Sequence, residues 1–253
     1  MDERYWQGLG NAYEDEIFDS AASDLRGAIP RRLDEFRNRR RDAIDFGCGV
    51  GRYLGLLAPR FRRVTGVDFA ETLVARARAR AERDGLANVH VRRGDLARLR
   101  LDVEPASFGV CANVLISREA AVRAAILRSI KRYIAPGGAV LFVVPSLECA
   151  LLSNRHLVEW NRRGGYSPAE ALETGIPPSR RTARELLDGI IRIENVETKH
   201  FLREEGVWTL THSGFECTDV DKVEYPWSTE FERPPRWMGE PLPWDWLFIA
   251  RRV

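Results

Sequence analysis

The 253-residue chain is predicted to form an α/β domain on a doubly wound, mostly parallel sheet. Three observations carry that expectation. From residue 42 onward, short apolar runs alternate with helical stretches. The first run, "DAIDFG", leads at once into a turn with Gly47, Gly49 and Gly51. A later run, "AVLFVVPS", is apolar on both faces, as a strand buried in the middle of a parallel sheet must be.

Residues 1–40 read as an amphipathic helical segment. Tyr13, Ile17 and Phe18 share one face, Leu25, Ile29 and Leu33 another, and Pro30 interrupts. "DAIDFG" is the first strand, and "RYLGLLAPRF" a helix leaving the glycine turn. "RRVTGVDF" is the second strand. "AETLVARARARAERDG" is a helix of good formers that stops at Gly85. "NVHVRRGD" and "FGVCANVLI" supply the third and fourth strands. "REAAVRAAILRSIKRYIAPGG" is a long helix halted by Pro136-Gly137-Gly138, and "AVLFVVPS" is the fifth strand. Residues 147–200 break the rhythm as an insertion with its own helices: "LECALLSNRHLVEWNRR" has helical spacing, and "SPAE" and "TARE" are capping boxes. "FLREEGVWTLTHSGF" is a helix closed by Gly214. "ECTDVDKVEYPW" and "WDWLFIARRV" are a closing pair of strands, which brings the sheet to seven. The N-terminal segment and the insertion are expected over the carboxyl ends of the strands, where ligands of such sheets bind.

Composition narrows the partners. With 39 basic and 37 acidic residues the net charge is +2, too balanced for a nucleic-acid binder held by bulk charge, and no DNA partner is expected. The four cysteines are scattered without a C-x-x-C pair, so neither zinc nor any other metal site is expected. No apolar stretch is long enough to span a membrane, and the charged N-terminus lacks a secretory core; a cytoplasmic protein is expected.

The glycine turn sits between strand and helix, the setting of a nucleotide-binding loop whose N–H groups and helix end face a polar ligand. The G-x-G-x-x-G fingerprint of dinucleotide enzymes fails because its last position is Arg52, and the P-loop fails for want of G-K-[ST]. Asp68 follows the last glycine by 68 − 51 = 17 residues, one helix plus one strand, which places its carboxylate at the neighbouring strand's tip. An ionised carboxylate there is an acceptor for two vicinal hydroxyls.

"DFGCGVGRYL", "VTGVDFAETLVARAR", "VRRGDL", "VCANVLI" and "IAPGGAVLFVVP", with "HSGFECTDVDKV" near the end, resemble the successive motifs of class I S-adenosylmethionine-dependent methyltransferases. The resemblance covers residues 40–146 well and the last forty in outline. It implies a Rossmann-like seven-stranded sheet with the last strand antiparallel. The chain is then a single methyltransferase domain, 1–253, with an N-terminal helical cap (1–40) and a lid insertion (147–200). It implies S-adenosyl-L-methionine as cofactor and S-adenosyl-L-homocysteine as product. By the same resemblance Gly47, Gly49 and Gly51 let the cofactor approach the chain, and Asp45 helps hold the methionine ammonium. Asp68 takes the ribose hydroxyls, Phe69 packs on the adenine, Asp95 accepts from its amino group beside Leu96, Asn113 lies near the methionine, and Tyr13 closes over it. Gly109 departs from the pattern, since relatives carry an acid early in the fourth strand.

The expected reaction is methyl transfer to an oxygen or nitrogen of a small organic molecule. RNA or protein methylation and a non-catalytic cofactor-binding regulator are the alternatives. His200 is the candidate base. His90 and His212 read as structural, and His156 as solvated. Trp160 and Tyr166 of the insertion are expected to furnish a partly aromatic acceptor pocket.

Overall fold

A computed structural model describes residues 18–174, 185, 187–193 and 196–253. Tyr13, Ile17 and most of the 182–185 capping box lie outside the described residues. Seven strands form the main sheet: β1 (Asn38–Phe46), β2 (Phe61–Asp68), β3 (Val89–Arg93), β4 (Ala106–Ala112), β5 (Ile134–Pro145), β8 (Phe215–Glu224) and β9 (Trp244–Arg252). Their order is β3-β2-β1-β4-β5-β9-β8. The first five run parallel, and β9 lies antiparallel to both β5 and β8.

Alternation within the strands loads both faces. Ile44, Phe46, Val140 and Phe142 enter one core, while Ala43, Phe108, Leu141 and Val143 enter the other. One face is covered by α2 (Ala28–Glu35), α3 (Leu54–Leu57) and α4 (Glu71–Arg83), through Ile29, Leu33, Leu57 and Val74. The opposite face is covered by α5 (Ala120–Tyr133), α6 (Leu147–Arg163) and α8 (Arg203–His212), through Ile126, Ile130, Cys149 and Leu210.

Several elements end elsewhere than the sequence suggests. The first strand begins at Asn38, inside the stretch expected to be helical, and the N-terminal segment holds two short helices, α1 (Ser20–Ser23) and α2. Ile29 and Leu33 are buried as expected, but Leu25 is exposed in the turn between those helices, and Pro30 sits within the first turn of α2. Proline is tolerated there because its missing N–H has no helical partner to lose. The helix after the glycine turn is only four residues, since Pro59 follows it. Strand β4 stops at Ala112 because Asn113 turns left-handed at φ 56°. Pro136-Gly137-Gly138 does not precede the fifth strand; it bulges out of it, between the pairs Ala106–Ile134 and Phe108–Ala139. Gly109 has no room for an acid: a Cβ there would lie 2.8 Å from Ile134 and 3.0 Å from Phe46.

The segment 147–200 holds α6, with the limits the spacing predicts, and α7 (Pro168–Thr174), where Ser167 and Glu170 exchange the two hydrogen bonds of a capping box. It also holds a β-hairpin, β6 (Ile190–Ile193) with β7 (Val196–Lys199), where only helices were expected.

Helix α8 meets the sheet at Gly206, where a Cβ would come 2.3 Å from the buried ring of Phe248. Alanine favours a helix over glycine by about 0.5–1 kcal/mol, but overpacking costs about 1–3 kcal/mol, so the clash wins. Gly206→Ala is expected to lower the melting temperature by roughly 2–6 °C in a scanning calorimeter.

Candidate functional site

The chain order reverses between β1 and β4, the place where doubly wound sheets bind ligands. A cleft of about 1950 Å³ opens there along the carboxyl ends of the strands. It is walled by the glycine loop, the tips of β2 to β5, the N-terminal segment, the β6–β7 hairpin and the start of β9.

The glycine loop is built for close approach. Gly47 sits at φ 79°, and a Cβ on it would lie 2.3 Å from Val114 Cγ2; Gly51 sits at φ 85° against Leu54 and Ala77. Its N–H groups are largely used internally. Gly47 and Cys48 donate to the carbonyl of Val67 at 2.8 and 2.9 Å, Gly51 to that of Cys48 at 2.8 Å, and Gly49 to Asp68 Oδ2 at 2.9 Å. The expectation that these donors and a helix end face the ligand is therefore corrected. The loop offers bare backbone, and its donors lock it onto the neighbouring strand.

Asp68 is buried at the tip of β2 and lines the cleft. Besides Gly49, it accepts from Ala70 N at 3.0 Å through Oδ1. Burial raises its pKa above the usual carboxylate range, against the pull of those backbone donors. Each oxygen keeps a second lone pair for ligand hydroxyls. Asp45 lies under the loop, not among the cleft's lining side chains, and is only 2% exposed. Its Oδ2 has no partner among the described residues, and burial, with the Asp68 charge added, pushes it up to about 8.

The other expected residues converge on the same cleft. Phe69 lines it beside Asp68. Asp95 caps a short 3-10 turn, accepting from Ala97 N at 2.9 Å, and pairs with Arg98 at 3.1 Å; Leu96 is buried behind it. Asn113 donates its backbone N–H to Val143 at 2.9 Å, while its side-chain Oδ1 is buried without a partner among the described residues. His200 lines the cleft between β7 and α8, short of the helix it was expected to enter. Its Nδ1 lies 3.1 Å from the carbonyl of Thr198. His90 is exposed on β3 and His212 on α8. His156 is not solvated: it stacks on Trp227 at 4.4 Å and Trp237 at 5.9 Å.

Trp160 and Tyr166 do not furnish the cleft. Trp160 packs edge-on against Phe231, and Tyr166 is exposed. The aromatic walls come from Phe18, which the sequence places on the apolar face of the N-terminal segment, and from Tyr53 and Tyr225, which the sequence reading passed over. Phe18 lies edge-on to Tyr225 at 4.6 Å, and Tyr53 shares a 2.9 Å hydrogen bond with Ser20. Arg52 pairs with Asp19 at 3.0 Å, and Leu25 N donates to the carbonyl of Glu224 at 2.9 Å, so the N-terminal segment is tied across the glycine loop and β8. Asp245, Trp244 and Glu230 complete this end. A carboxylate inside the apolar run "WDWLFIA" was the available signal.

The cleft fits S-adenosylmethionine. Bare backbone at Gly47, an acceptor-only carboxylate at Asp68, apolar Phe69 and Leu96, and the orphaned Asn113 oxygen match a nucleoside joined to a cationic amino acid. Among the described residues no group of His, Cys, Asp and Glu could hold a metal ion, and no helix is long and apolar enough to cross a membrane.

A family model described as a methyltransferase domain matches residues 43–138, the segment from β1 into β5. A Mycolicibacterium smegmatis protein named a probable S-adenosylmethionine-dependent methyltransferase is 36% identical over 106 residues, 42% of this chain and 38% of that protein. The Stenotrophomonas maltophilia 23S rRNA (uracil(1939)-C(5))-methyltransferase RlmD is 49% identical over 53 residues, 21% of this chain and 12% of that enzyme. The chain thus spans less than two fifths of the length of either relative. In fold it is similar to the solved DhpI–SAM–HEP complex, at a TM-score of 0.62 and 20% identity, with 99% of this chain and 95% of that chain covered. Residues 43–138 thus match a methyltransferase domain, and the strand order around the glycine loop is a fold shared with the solved complex.

Proposed function

We propose that the protein transfers the methyl group of S-adenosylmethionine to an oxygen or nitrogen of a small organic molecule. The cofactor supplies an electrophilic methyl, and the chain's task is to hold the acceptor in line with it and away from water. In this reading Asp68 receives the ribose hydroxyls, Phe69 and Leu96 flank the adenine, and Asp95 accepts from its amino group. Asn113 accepts from the methionine ammonium, with Asp45 acting on it through water and Tyr13 closing over that end. Residues 1–40 and 147–200 serve as cap and lid of one catalytic domain.

The observation that carries the small-molecule reading is the second half of the cleft. Besides the residues assigned to the cofactor, the cleft is lined by Ser146, Tyr225, Asp245 and His200 and by Phe18, Asp19 and Ser20, a mixed polar and aromatic lining suited to a compact acceptor. The test is cofactor turnover with pooled metabolites against turnover with tRNA or a protein extract. Methylation of the metabolite pool alone supports the proposal, and methylation of RNA or protein alone overturns the acceptor class.

His200 is the proposed base. A neutral ring donating from Nδ1 to Thr198 places the basic lone pair on Nε2. His200→Ala is expected to bind S-adenosylhomocysteine as the wild type does and to lose about 100-fold in turnover, read by product release. Unchanged turnover would reduce His200 to a wall of the pocket.

A further inference from the structure

The recess beyond the cofactor region has a chemistry of its own. Its charged end is formed where the start of β9 meets the turn after β8. Asp245 accepts from the Tyr225 hydroxyl at 2.9 Å. Glu230 stands close enough that its charge hinders ionisation of Asp245, and Glu230 itself is hydrogen-bonded to the neutral hydroxyl of Ser153. Neither carboxylate forms an ion pair among the described residues, whereas Asp19, nearer the glycine loop, is neutralised by Arg52. Lys222 is close by but sits over the Trp244 ring at 3.7 Å and does not line the cleft. Burial and Glu230 together hold the Asp245 carboxyl up to about 7.

Two further observations point to a ligand. Trp244 lines the same end and is 7% exposed, and its indole N–H has no partner among the described residues. A buried donor of that kind is costly unless a ligand acceptor meets it. The rings of Phe18 and Tyr225, edge to face at 4.6 Å, line the same cleft and carry the π-surfaces that attract cations.

We infer that this end of the cleft is an acceptor subsite for a protonated amine, with Asp245 and Glu230 as its counter-charge and Phe18 and Tyr225 as its aromatic wall. The Trp244 N–H takes an oxygen of the same molecule. The subsite orients the acceptor by a charged group other than the atom methylated. A bound ammonium favours the ionised form of Asp245 beside Glu230, whereas an anionic acceptor finds no counter-charge there and is disfavoured. The inference rests on the methyl-transfer reading and names the substrate class of that same site.

The test is titration calorimetry on the full chain saturated with S-adenosylhomocysteine. The probes are a panel of primary amines, each paired with a carboxylate of the same skeleton, such as tyramine against 3-(4-hydroxyphenyl)propionate. Amines are expected to bind at least tenfold more tightly than their paired carboxylates. Asp245→Asn is expected to weaken amine binding about tenfold while leaving S-adenosylhomocysteine affinity within twofold. Should that variant disturb strand β9, Glu230→Gln on the exposed turn is expected to act in the same direction. Carboxylates binding as well as amines, no amine binding at all, or amine affinity unmoved in both variants would overturn the inference while leaving the methyl-transfer reading intact. Failure of S-adenosylhomocysteine itself to bind would overturn that reading, and this inference with it.

Discussion

Asp68→Ala is expected to lose S-adenosylhomocysteine binding by about 100-fold or more. The substitution removes the acceptor of two backbone donors, Gly49 N at 2.9 Å and Ala70 N at 3.0 Å, and with it the proposed partner of the ribose hydroxyls. Hydrogen bonds to a charged group are worth about 1.5–3 kcal/mol each, so losing the ribose pair alone accounts for two decades or more. The loop loses its anchor in addition, because Gly49 N is left buried without an acceptor, at about 1–3 kcal/mol. Asp68→Asn separates the two roles. Its remaining carbonyl can still brace the loop, and its binding is expected to fall about tenfold with little change in melting temperature. If Asp68→Ala binds within threefold of the wild type, Asp68 braces the loop and does not touch the ligand.

The second large effect is a pH-dependent stability set by Asp45. Its folded value is about 8 against an ordinary 3.8 for the unfolded chain. Between about pH 4 and pH 8 the unfolded chain has therefore released this proton while the folded chain still holds it. Fewer protons on the unfolded side means that stability falls as pH rises through this window. The slope for one such group reaches about 1.4 kcal/mol per pH unit. Asp45→Asn cannot titrate, so its melting temperature is expected to match the wild type at or below about pH 4 and to exceed it by about 10–20 °C at pH 8. Asp245 is raised in the same direction, but it is present in both proteins and cancels from the comparison. Melting curves that stay parallel from pH 5 to pH 8 would show that Asp45 is not held protonated.

The parts of the fold set by local pattern were legible. The second half of β1, Ala43 to Phe46, is a buried run ended by glycine, β5 is apolar on both faces, and α6 has the limits its spacing dictates. Asp68 was findable because the strand–helix–strand unit has a nearly constant length. What escaped was decided by tertiary contact. The glycine loop's donors are taken by Val67 and Asp68, a satisfaction that depends on the register of β1 with β2. The hairpin β6–β7 is two four-residue strands, too short for alternation to stand out from a helical reading of the same isoleucines. Asp245 and Tyr225 lie 20 residues apart and meet only because β8 and β9 pair. Trp160 and His156 were misplaced for a similar reason. The loop after β8 brings Phe231 and Trp227 to them, and stacking there outweighs exposure.

Titration of the intact chain with S-adenosylhomocysteine tests the central claim most directly, with adenosine diphosphate as the competing probe. One nucleoside per chain is expected, bound at micromolar affinity or better, lost in Asp68→Ala and undisturbed by the pyrophosphate compound. No heat from S-adenosylhomocysteine, or its displacement by adenosine diphosphate, would contradict the account.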